Sequence, residues 1–282
     1  MIEFITSMVS YEFMRNALVA GVLVSIACGI VGTLVVLNRI VFLSGGIAHA
    51  AYGGIGLAFL LRIDPLIGAI SFSLLSSFLM GWVQRRTRQR ADTLIGVMWA
   101  VGMALGIIFI NLSPGYKADL MSYLFGSILA VSSLDIWLML GLSILIIILV
   151  AVFYRLLLMI SFDETFARVR NIPVDVIYMG MIIMIGLTVV ISMRVVGLIM
   201  IIALLTIPPA IASLFVKSMW KIMVLACGLS VLFTLIGLMI SYTMNLTSGA
   251  AIILVAGVSY MLALAIHNLA RRYRNPRTMV KA

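Results

Sequence analysis

Over its 282 residues the chain is 64% hydrophobic and only 10% charged, with a formal net charge of +10 and a mean hydropathy of +1.27. Soluble domains carry about 25% charged residues, so a water-soluble enzyme or nucleic-acid-binding domain is excluded. A span takes roughly 20 apolar residues, so the length holds about eight or nine transmembrane helices with short loops, in one all-α, polytopic membrane domain over 1–282. The positive charge falls in short loops and the tail, where it reads as a cytoplasmic marker.

Residues 1–16 read as an interfacial lead-in, with Glu3, Glu12 and Arg15 spaced among apolar residues. They show no basic leading segment or small-residue cleavage pattern, so no cleavable leader is expected. The first span is about 17–37. The next apolar stretch, 41–57, reads VFLSGGIAHAAYGGIGL and holds Gly45, Gly46, Gly53, Gly54, Gly56 and one of the chain's 2 histidines, His49. Residues four apart lie one above the other on a helix. Gly45, His49 and Gly53 therefore share one face, and Gly46, Ala50 and Gly54 the adjacent stripe. A small-residue stripe in lipid is a tight packing surface, and an ionisable group within a span is a candidate functional residue; both readings stand for this stretch.

Pro65 marks a turn into a third span, about 66–83, because proline starts a helix but does not continue one. Arg85, Arg86, Arg88 and Arg90 follow as the strongest cytoplasmic marker. The fourth span is about 93–112 and contains Gly102 and Gly106; the loop 113–120 is expected outside. The run 121–131 is too short to cross and reads as re-entrant or interfacial. The fifth span is about 136–156. The long polar interruption 161–175, SFDETFARVRNIPVD, reads as a short cytoplasmic amphipathic helix with Phe162 and Phe166 on one face, stopped before Pro173. The sixth span is about 176–193. The seventh, about 196–216, is expected to be interrupted at Pro208 and Pro209, which remove two backbone donors. Lys217 and Lys221 mark the cytoplasm again. An eighth span at 222–242 and a ninth to about 269 lead into the basic tail 270–282.

Cys28 and Cys227 lie in apolar runs and imply no disulfide framework. The 20 methionines are scattered through spans and read as core filler. No Walker-type phosphate loop, no H-E-x-x-H and no serine–histidine constellation is present, so the chain is not expected to be an enzyme. The acids sit in loops or at span ends. That disfavours a secondary transporter or channel, which would need intramembrane carboxylates or a charged ring.

The order of motifs resembles a known family. SGGIAHAAYGGIGLAFLL (44–61), DTLIG (92–96), YLFGSILAVS (123–132), FDETFARVRNIPV (162–174), RVVGLIMIIALLTIPPAIA (194–212) and SYTMNLTSGAAIIL (241–254) are similar, in that order, to segments of the permease subunits of bacterial ATP-binding-cassette importers for zinc, manganese and iron(II). The resemblance covers essentially the whole chain.

It implies a multi-pass permease of the cell membrane that works as a homodimer in lipid. The partners it implies are a separate cytoplasmic ATPase and an extracytoplasmic solute-binding protein. It also implies a transported divalent metal ion and no cofactor bound by this chain. His49 would be a transient metal ligand on the path. Phe162, Asp163, Glu164, Phe166, Ala167, Asn171 and Pro173 would form the coupling segment, and Gly45, Gly46, Gly53, Gly54, Pro208 and Pro209 would line the pore or pack its helices. The chain departs from the family pattern at three points. Gly45 stands where the family has an acid, Gly53 where it has a proline, and Asn171 where the coupling loop has a glycine. With the acid gone, Asp119 or Asp135 would have to supply negative charge from outside. The same fold carrying a non-metal solute is the alternative that Gly45 keeps open.

Overall fold

The computed structural model describes residues 11–86, 91–114, 126 and 128–274, and every regular element among them is helical. We label the α-helices α1 (Glu12–Leu37), α2 (Val41–Leu61), α3 (Pro65–Arg86), α4 (Ala91–Leu112), α5 (Ser133–Phe162), α6 (Glu164–Val169), α7 (Val174–Val196), α8 (Leu198–Phe215), α9 (Met219–Met244) and α10 (Ser248–Arg274). Nine of them are long and apolar enough to cross a membrane; α6 is the short polar exception. Of the expected lead-in, residues 12–16 belong to α1, and 1–10 lie outside the described residues. Of the run 121–131, only Gly126 and 128–131 are described, with one 3-10 turn at Ile128–Ala130. The tail stays helical to Arg274, and 275–282 lie outside the described residues.

Contacts across the bundle define two ends. At one, Asn38 after α1 donates to Ser161 Oγ near the end of α5 (2.9 Å), and Arg85 of α3 meets Glu164 of α6 (2.6 Å). At the other, Ser113 after α4 donates to the Phe59 carbonyl of α2 (3.0 Å), and Arg194 of α7 meets Asp135 in the first turn of α5 (2.8 Å). The first is the basic end, with Arg85 and Arg86 closing α3.

Helix α2 is the most enclosed span, with 78% of its apolar window buried against 22% for α4 and α10. Its glycines explain this. A Cβ on Gly54 would collide with the Gly68 carbonyl of α3, and one on Gly56 with the Gly106 carbonyl of α4. On α4, a Cβ at Gly102 would lie 2.6 Å from Ala50 Cα of α2. Backbone therefore rests on backbone, the arrangement that small residues permit in lipid. Helix α3 is fixed in turn to α7 by Ser73 Oγ, which donates to the Gly186 carbonyl (3.0 Å).

The seventh span corrects an expectation. Helix α8 runs unbroken from Leu198 to Phe215 with Pro208 and Pro209 inside it. The pair deprives the carbonyls of Leu204 and Leu205 of their helical donors, but proline's fixed φ is compatible with a helix, and close neighbours hold the turn. The Leu205 carbonyl sits directly against Gly32 of α1, where a Cβ would collide with it. Both prolines are buried in this packing.

Gly54→Ala should lower the stability of the detergent-solubilised protein by the ~1–3 kcal/mol of an overpacked contact. Gly141→Ala, whose added carbon meets nothing within 4 Å, should leave stability unchanged or raise it through better helix propensity. Thermal melts followed by tryptophan fluorescence compare the two.

Candidate functional site: a mid-span histidine and a charged helix at the basic end

His49 lies near the middle of α2, half-buried, and its partners come from α4. The imidazole stacks on the Trp99 indole with ring centroids 4.0 Å apart and planes 16° apart. Its Nδ1 lies 3.2 Å from Met103 Sδ, and the same sulfur accepts the Trp99 Nε1–H at 3.2 Å. Trp99 and Met103 are one turn apart on α4, so one face of that helix presents both to the histidine.

The glycines around His49 do not act alike. Gly46 is closed by Ile95 Cγ2, with Met80 Sδ 3.3 Å from where its Cβ would be. Gly53 is closed by the Phe72 ring (2.7 Å) and the Gly102 carbonyl (3.1 Å), and Gly54 by Gly68. These three are packing positions. The face shared by Gly45, His49 and Gly53 is covered at Gly53, where Phe72 of α3 fills the space that a missing side chain leaves. Gly45 alone of these four keeps room, with only Ile202 Cδ1 near, at 3.9 Å.

Asp135 does not turn towards this histidine. It forms a capping box with Ser132 at the start of α5 and lies 2.8 Å from Arg194 Nε. Asp64 is the same arginine's weaker partner at 3.9 Å. Asp119 lies outside the described residues.

At the basic end the interruption forms α6 as its sequence implies. Asp163 is its N-cap, with Oδ1 accepting the Phe166 N–H at 2.9 Å. Asn171 takes the left-handed conformation that closes the turn (φ 57°), a geometry asparagine tolerates better than most residues. Pro173 then caps α7. Ala167 is fully buried against Ile160 and Val174, which seats the helix. Phe162 and Phe166 are left 60% and 49% exposed, with the Arg170 guanidinium 5.5 Å from the centre of the Phe166 ring.

Sequence reading missed the clamp beneath this helix. Arg85 reaches from α3 to Glu164 Oε1 (2.6 Å) and to Asp175 Oδ1 (3.2 Å), with its guanidinium over the Tyr178 ring at 4.2 Å. Arg168 meets the same two acids at 2.9 and 3.2 Å. Partial burial opposes the charge on Glu164, but hydrogen bonds from Arg85 and Arg168 outweigh it and hold its carboxyl below the usual range. The Glu164–Arg168 pair had the i,i+4 spacing that betrays such contacts. Arg85, 79 positions from Glu164, gave no sign beyond its charge. Beside the clamp a cavity of about 590 Å³ opens between Asn38, Arg39, Gln84, Ser161 and Thr165.

Known proteins share this architecture. The chain is 55% identical over 265 residues to an uncharacterized membrane protein of Synechocystis sp., slr2045, with 94% of each covered. It is 32% identical to the manganese import system permease protein ScaB of Streptococcus parasanguinis, again over 94% of each. The solved structure of PsaBC from Streptococcus pneumoniae in complex with Fab matches with a TM-score of 0.84 at 33% identity, covering 93% of this chain and 95% of that one. Residues 10–267 match the ABC 3 transport family, and the chain belongs to that family.

Proposed function

We propose that this chain is the membrane-spanning permease subunit of an ATP-binding-cassette importer that brings a divalent transition metal ion into the cytoplasm. Two copies form the path, ATP is hydrolysed by a separate subunit at the basic end, and a solute-binding protein docks at the other. The observation that carries the reading is His49, an imidazole placed mid-span on the most enclosed helix, beside the one glycine of its flanking set where an added Cβ would make only an ordinary contact. Relatives named as manganese permeases, at 32–33% identity over most of their length, support the cargo class. The positive-inside rule puts the basic end in the cytoplasm, and with nine spans the start of α1 is then outside.

Neutral imidazole suits zinc, iron and manganese to differing degrees. One such ligand binds weakly, which transport requires, since an ion held tightly does not leave. Docking of the ATPase falls to α6. Phe162 and Phe166 supply the apolar contact, and the Arg85 clamp fixes α6 to α3 and α7, so movement of α6 moves those spans as a rigid body.

Uptake into proteoliposomes holding the chain with its ATPase and binding protein tests the cargo. His49→Ala should cut the initial rate by at least about tenfold, the factor that goes with ~1.4 kcal/mol, without loss of assembly. Unchanged uptake across metal concentrations would leave His49 a packing residue. Phe166→Ala should weaken ATPase binding by one to two orders of magnitude, matching roughly 1.5–3 kcal/mol for a buried aromatic. Arg85→Ala should leave the ATPase bound and hydrolysing while less metal is carried per ATP. Glu164 has a lowered pKa, so its contribution is fully present above the ~4.3 of a free glutamate. It is lost only as pH falls through the lower folded value, and coupling should hold across pH 5.5–8. A cysteine placed at Thr165 should react with a membrane-impermeant reagent only after the cells are opened; labelling of intact cells would reverse the orientation.

A further inference from the structure

We propose that the ion in this path is received by an imidazole–thioether pair, His49 Nδ1 and Met103 Sδ, and that the path therefore favours zinc(II) over manganese(II). This rests on the reading of the chain as a metal permease, and names the class of ion it takes.

The two donor atoms lie 3.2 Å apart. Zinc binds nitrogen at about 2.0–2.1 Å and thiolate sulfur at about 2.3 Å; a neutral thioether sits no closer, so the two donors of a tetrahedral site would be about 3.6 Å apart or slightly more. A small side-chain adjustment lets one ion meet both. With zinc on Nδ1, the neutral ring keeps its proton on Nε2.

Methionine ordinarily fills gaps loosely, having three rotatable bonds. Here the thioether is held in place. Trp99 donates its indole N–H to the sulfur at 3.2 Å while its ring face lies on the imidazole at 4.0 Å. One indole thus positions both donors.

No carboxylate among the described residues is paired with this histidine. Among the described residues no group of three or more histidines, cysteines or acids could hold a metal. Asp135 and Asp64 are engaged by Arg194 at the far end. One turn before His49 the chain has Gly45, where an added Cβ would meet only Ile202 Cδ1, at 3.9 Å, and no carboxylate. Carboxylate and water ligands suit manganese, whereas imidazole and soft sulfur shift preference towards zinc. Two neutral donors, completed by water or by the second copy, also keep the hold weak enough for release.

The test measures uptake of radioactive zinc(II) and manganese(II) in the same proteoliposomes, with ATPase and binding protein constant, so that any change in their ratio belongs to this chain. Met103→Leu keeps the side-chain volume and should lower the zinc-to-manganese ratio at least about fivefold. Gly45→Asp should also lower it, by raising manganese uptake. If Met103→Leu fails to assemble, Gly45→Asp carries the test. A ratio unmoved by the assembled variants would overturn the proposal while leaving the permease reading intact. Uptake of neither ion by the wild-type complex would overturn that reading, and this proposal with it.

Discussion

The backbone of α2 rests on the backbones of two neighbours, because Gly54 faces Gly68 of α3 and Gly56 faces Gly106 of α4. In lipid no hydrophobic force drives helices together, so association depends on close packing of this kind. A single Cβ at either contact has nowhere to go, since the obstacle is a carbonyl and not a flexible side-chain end. The consequence is a helix enclosed on most sides, with its histidine turned towards a face of α4 where larger side chains, Trp99 and Met103, take the place of glycines. Packing and site are thus two faces of one helix: where the glycines are closed the helix is fixed, and at His49 it stays partly accessible.

The basic end extends that rigidity to the one polar helix. Arg85 and Arg168 share Glu164 and Asp175, joining α3, α6 and α7 in one charged cluster. Arg85 is the least exposed member, with 18% of its side chain accessible, so its charges are screened less than a surface pair's would be. Since α3 also carries the Gly68 contact to α2 and the Ser73 contact to α7, α6 is joined through α3 to the His49 helix. Well-packed interiors transmit strain in this way because they do not deform continuously.

Much of this was legible in the residues. Apolar runs and their charged boundaries gave the spans in order, and Pro173 and Asn171 marked how the polar helix closes. The glycine periodicity showed which faces are small, but not which neighbour meets them, such as Phe72 at Gly53. The proline pair read as a break because local rules count only lost donors. The support comes from Gly32, far away in sequence, which lets α1 press against the exposed carbonyl. Arg85 was hidden among neighbouring arginines whose common topological signal masks an individual role. Met103 was one of 20 methionines, and nothing local separates a thioether beside an imidazole from one that fills a gap.

The most direct measurement asks whether α6 and α3 must move as one body. Arg85 and Glu164 are both replaced by cysteine, and the pair is joined by a short bifunctional maleimide in the reconstituted complex. Metal carried per ATP hydrolysed is read before and after linking. The account predicts poor coupling in the unlinked variant and recovery once the covalent bridge replaces the ion pair. Uptake that stays low after linking, with the ATPase still docked and hydrolysing, would contradict it.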